Sequence, residues 1–147
     1  MKKQSIVKMV LSAFVLTLSI SFAVVGVRGM VRVDRELSDY RTTLAARYGT
    51  SEYVYVTDNS TRPLWYGEPQ GAYIHTGYVG GNMQEEDVAK IEVLDTGAAA
   101  EEALDMIESF DMRNRKYFGL VAIAAFAILE VLACTFCRDD KSEEVTT

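Results

Sequence analysis

The chain has 147 residues, a net charge of −6 and only two cysteines, Cys134 and Cys137. That length allows one modest domain plus membrane-crossing segments. The acidic balance, without a basic stripe interleaved with aromatics, argues against nucleic acid as a partner of the whole chain. Both cysteines lie near the C-terminal end, so no disulfide can staple the middle.

In chain order, residues 1–8 form a short tail with Lys2, Lys3 and Lys8. Residues 9–27, "MVLSAFVLTLSISFAVVGV", carry no charge. A helix rises about 1.5 Å per residue, so such a run reaches roughly 30 Å, the hydrocarbon thickness of a bilayer. The lysines followed by an apolar core also resemble a signal peptide. The run is longer than a usual signal core, and no A-x-A site closes it, so we read a retained signal-anchor.

Helical periodicity continues beyond this block. Val33, Leu37, Tyr40 and Leu44 share one face, which predicts a single helix to about Arg47, with Gly49 as its cap. That face either packs on its own domain or forms a dimer seam. The period then changes to two. "EYVYVT", residues 52–57, reads as a strand, "DNST" as a turn and "RPLWYG" as a second strand, so that 52–67 forms a hairpin. A third strand is expected over 72–79, with Gly77 a candidate bulge, and a fourth around 90–94. Residues 98–111 read as a helix that can run on into the second apolar block, 117–137. The fold class is therefore an α+β membrane protein. Two transmembrane helices flank a small domain, 28–116, made of a long helix, three or four antiparallel strands and a second helix.

Topology follows from the length of the middle. The segment 28–116 has 89 residues, and loops that long translocate largely regardless of their Lys/Arg count. The signal-like start then places both termini, 1–8 and 138–147, in the cytoplasm and the central domain outside.

Chemistry-bearing residues are few. His75 is the only histidine, which excludes a site of several imidazoles; on a strand it reads as a surface or half-buried residue. No phosphate loop, dinucleotide fingerprint or nucleophile elbow occurs. We expect no enzyme, no cofactor and no metal. Cys134 and Cys137 have C-x-x-C spacing at the end of a span, the wrong context for a redox helix; they read as small apolar residues or as lipidation sites. Asn59 opens a formal glycosylation triplet in the predicted turn.

Two features point to binding. Tyr53, Tyr55, Trp65, Tyr66, Tyr73 and Tyr78 fall within 26 residues. Strand alternation puts Tyr53 and Tyr55 on one face and Val54 and Val56 on the other. The tyrosines either pack structurally or, with Trp65, Tyr66 and Tyr73, form a binding surface. The second feature is Glu130, the one charge inside the second apolar block. An acidic residue at the centre of a span costs about 2.5–3.5 kcal/mol. We expect it to meet polar groups between the spans, Ser12 and Thr17 at similar depth, or in a partner subunit, with Ala122, Ala125 and Ala133 permitting close approach.

The stretch "YVYVTDNSTRPLWYGEPQG" resembles the central hairpin of Cache domains, the PAS-like extracytoplasmic sensors of bacterial receptors. The matching positions are residues 53–57, Asp58, residues 64–66 and Gly71. The resemblance implies a ligand-sensing domain for a small molecule, signalling through a partner protein because the tail after Cys137 holds no output module. Two readings stand at this point. One is a non-catalytic accessory or docking subunit of a larger membrane complex, with the bilayer and other membrane subunits as its partners. The other is the extracytoplasmic sensor.

Overall fold

The computed structural model describes residues 2–58, 71–80 and 82–143, with side chains as far as Phe136. Six elements follow in order: α1 (Lys2–Arg47), β1 (Val54–Asp58), β2 (Ala72–Thr76), α2 (Glu85–Val88), β3 (Glu92–Thr96) and α3 (Ala98–Glu143). The protein is α+β, and α1 and α3 are each long and apolar enough to cross a membrane. The helix expected to run unbroken to Arg47 does so. Gly49 follows with φ of +68°, a left-handed turn that only glycine takes without strain. The helix expected to begin at residue 98 likewise continues through the second apolar block.

The chain divides into two compact units. One unit comprises residues 1–32 and 114–147, the apolar ends of α1 and α3. Where they meet, α1 presents glycine to larger side chains of α3. A Cβ added to Gly26 would lie 2.6 Å from Val121 Cγ2 and 2.9 Å from the Tyr117 carbonyl oxygen, and one added to Gly29 would overlap the Tyr117 ring. Ser19 and Ala124 are buried in this unit, and the Ser19 hydroxyl donates to the Val15 carbonyl at 2.7 Å. The outward residues, among them Phe14, Phe22, Ile123 and Phe126, are large, apolar and exposed.

The other unit comprises residues 33–113. Its sheet has the order β1-β2-β3, both pairs antiparallel. Register sets the faces. Val54 opposes Thr76 and Val56 opposes Ile74, whereas Tyr55 opposes His75 and Thr57 opposes Tyr73. The Val54/Ile74 face packs on the helices: Leu44, Val54, Ala72, Ile74, Ala100 and Ala103 form the core, with Tyr40, Tyr48, Val56 and Leu94 against it. Of the face predicted from Val33, Leu37, Tyr40 and Leu44, Val33 and Leu44 are buried and Tyr40 packs on the core, whereas Leu37 is half-buried beside an open groove. Tyr40 meets Phe110 at 5.9 Å, and Arg113 pairs with Glu36 at 2.7 Å.

Strand details differ from expectation. β2 ends at Thr76 rather than residue 79. Gly77 stops it, with φ of +84° and the Lys90 carbonyl oxygen 2.8 Å from where a Cβ would stand. The irregularity lies elsewhere: Ile74 opposes Asp95 and His75 opposes Val93, so Leu94 is the extra residue of a bulge and its side chain reaches the core. The last strand begins at Glu92, two residues later than the expected start, because Glu85–Val88 and the turn after it form a short helix first. The hairpin partner expected at 62–67 lies outside the described residues, and β1 pairs directly with β2.

Candidate functional site

The outer face of the sheet carries a ladder of rings. Tyr53 precedes β1 and Tyr55 lies within it, two residues apart and therefore on one side. Their centroids are 4.6 Å apart. Tyr55 stacks on His75 at 5.7 Å with 15° between planes, and meets Tyr78 edge-on at 6.1 Å. Arg41 reaches over from α1: its Nη1 donates to the Val54 carbonyl at 2.7 Å, and its guanidinium carbon sits 4.9 Å above the Tyr53 ring. That contact is a cation–π interaction anchored by a hydrogen bond.

The ladder is exposed at its two ends and buried at its base. Tyr53 is 56% exposed and Tyr78 71%. His75 is wholly buried. This corrects the expectation of a surface or half-buried histidine: the central strand is covered on both faces, which single-strand alternation cannot reveal. Nδ1 of His75 lies 3.3 Å from the Thr76 carbonyl, an acceptor only, so Nδ1 carries the proton and Nε2 accepts from the Thr57 hydroxyl at 2.8 Å. Burial pulls the imidazole pKa below its ordinary value. Tyr73 is also buried, and so does not belong to an exposed binding surface. Trp65, Tyr66 and Asn59 lie outside the described residues.

Two open grooves border the ladder. One, of about 780 Å³, runs between α1 and the approach to β1 and is lined by Arg41, Tyr53, Ser38 and Asp34 among others. The second, of about 560 Å³, lies beside Tyr78, Asn82 and Lys90. At the far edge the Tyr48 hydroxyl donates to Asp95 Oδ2 at 2.7 Å. That bond raises the phenol pKa and lowers the carboxyl's, each as its largest cause. Among the described residues no group of three or more His, Cys, Asp or Glu could hold a metal ion.

The intramembrane contact expected within the chain is not formed. Glu130, Ser12 and Thr17 are all exposed, and the Thr17 hydroxyl donates to its own helix at Ala13. The face of α3 toward α1 is centred on Ala124, with Tyr117 and Val121, rather than on Ala122, Ala125 and Ala133, which are exposed. Glu130 is six residues beyond Ala124, which turns it about 120° off that seam. Three small residues suggested the wrong face because alanine is common on every side of this helix. Cys134 is a free, exposed thiol, and the side chain of Cys137 lies outside the described residues.

No protein-family model, curated protein or solved structure matches the chain.

Proposed function

We propose that this protein is a non-catalytic, two-pass membrane subunit that docks other proteins through the aromatic ladder of its extracytoplasmic domain and through its spans. Two helices of sufficient length and apolarity support the membrane reading. The observation that carries the docking reading is the exposure of Tyr53 and Tyr78 at the ends of a ring stack fixed by Arg41. Tyrosines held in place by their neighbours offer large amphipathic contact area at low entropic cost, and such residues concentrate at protein interfaces.

A photo-crosslinking amino acid placed at Tyr53 or Tyr78, in native membranes, tests this. Discrete higher-mass adducts are expected at both positions and not at Glu108, an exposed helical position of the same unit. Adducts equally frequent at all three sites, or at none, contradict it. The Cache-like sensor is the second reading. It is favoured by the groove beside Arg41 and Tyr53, whose volume suits a small molecule.

A further inference from the structure

Three glycines lie in or beside the apolar part of the helix pair, and two of them have an evident reason. Gly26 and Gly29 allow α1 and α3 to touch. Gly119 does not: a Cβ there would meet nothing within 4 Å. A glycine inside a helix weakens it unless something needs the space. Gly119 and Glu130 are eleven residues apart, three turns plus a fraction, so they lie within about 20° of each other around the helix. Ile123, 66% exposed, stands between them on the same face. This face points away from the α1 seam.

Two independent boundaries set the depth of Glu130. Along α3 it lies between Lys116 and Arg138, the nearest charges on either side before the polar tail. Across the pair, Gly26 meets Val121 and Gly29 meets Tyr117, so Glu130 stands level with the middle of the Lys8–Arg28 interval of α1. It lies eight residues from Arg138, about 12 Å along the helix axis. A carboxylate at that depth on a lipid-facing surface is strongly disfavoured, and acidic residues within spans pair with partners inside protein. Among the described residues Glu130 is exposed, and no hydrogen bond or ion pair joins it to another side chain. Neither apolar block contains a lysine or arginine, so a second copy brings no cation to that depth, only another carboxylate and the Thr17 hydroxyl, which already donates to Ala13 of its own helix.

We infer that the face of α3 formed by Gly119, Ile123 and Glu130 docks a transmembrane helix of a different protein, bearing a lysine or arginine at the depth of Glu130. The inference rests on the membrane reading above and gives the partner its chemistry. Gly119 supplies close approach near one end of the contact, and Glu130 supplies the charge that fixes register and excludes purely apolar helices.

The test uses the full-length protein, labelled at its N-terminus with a donor fluorophore and reconstituted into phosphatidylcholine vesicles. The probe is a synthetic oligoleucine transmembrane helix with an acceptor fluorophore and one lysine at the matching depth. Its control has leucine in that place. Energy transfer to the lysine helix should report association roughly tenfold stronger than to the control, the size expected of an interhelical polar contact. Glu130→Leu should abolish the difference. Gly119→Leu should weaken association while leaving a preference for lysine. Equal association of the two helices with a protein that floats with the vesicles overturns this inference alone. Transfer between copies of the protein that depends on Glu130 makes the occupant a second copy and also overturns it. A protein that does not float with the vesicles overturns the membrane reading, and this inference with it.

Discussion

His75 shows how burial can turn a single residue into a pH sensor of stability. Its folded-state pKa lies below the ordinary value of 6.5, first because burial penalises the charged ring. The unfolded chain therefore takes up the proton at a higher pH than the folded one. Stability is fully present above about pH 6.5 and is lost as the pH falls from there toward the depressed folded value, at no more than about 1.4 kcal/mol per pH unit for one proton. Asp95, whose pKa is lowered chiefly by the Tyr48 hydroxyl, acts only in the more acidic window below 3.8. Denaturant titrations of the sheet domain in detergent-held protein between pH 7.5 and 5 should show a declining midpoint for wild type and a flatter one for His75→Gln. A wild-type midpoint as flat as the variant's contradicts the assignment. At this scale the sequence was legible where alternation alone decides: Val54 inward, Tyr53 outward. It was not legible for His75 and Tyr73, because a strand covered on both faces has no polar side to announce it. Glu130 was recognisable as anomalous from its neighbours, but the face it occupies depends on which stripe of α3 meets α1, and several stripes of that helix are small and apolar.

At the scale of elements, the two long helices are organised by a seven-residue spacing. Ser19, Gly26, Val33 and Tyr40 of α1 are buried or half-buried, as are Ala103, Phe110, Tyr117 and Ala124 of α3. A seven-residue repeat keeps one stripe of a helix facing a neighbour that runs alongside it. On α1 the stripe is small within the apolar unit, at Ser19 and Gly26, and larger within the sheet unit, at Val33 and Tyr40, where Tyr40 packs against Phe110. Gly26→Val should force Val121 and the Tyr117 carbonyl apart, at about 1–3 kcal/mol for overpacking. Gly119→Val, at the open position on α3, should cost far less in the isolated protein. Thermal denaturation in mild detergent compares the two directly; equal losses would mean that Gly26 is not the close contact. The helices were readable because amphipathic periodicity persisted well past the apolar blocks. The sheet was readable in kind but not in pairing. β-branched and aromatic runs identify strands, yet register depends on turns and on the bulge at Leu94, which carries no local signature.

At the scale of the molecule, the domain that bears the exposed rings is joined at both ends to apolar helices. Two tethers shorten the freedom of the unfolded segment and so help a small core hold together. The proposed topology puts that domain outside the cytoplasm, where Tyr53, Tyr78 and Arg41 would meet a partner. The measurement that bears on it most directly is chemical accessibility in intact cells. Asn82 is exposed in the turn before α2. In a Cys134→Ser, Cys137→Ser background, Asn82→Cys gives a single thiol that a membrane-impermeant maleimide can report. Full labelling before lysis is expected, with the protein retained in the membrane fraction after alkaline extraction. Labelling only after lysis, or release of the protein by alkali, would contradict it.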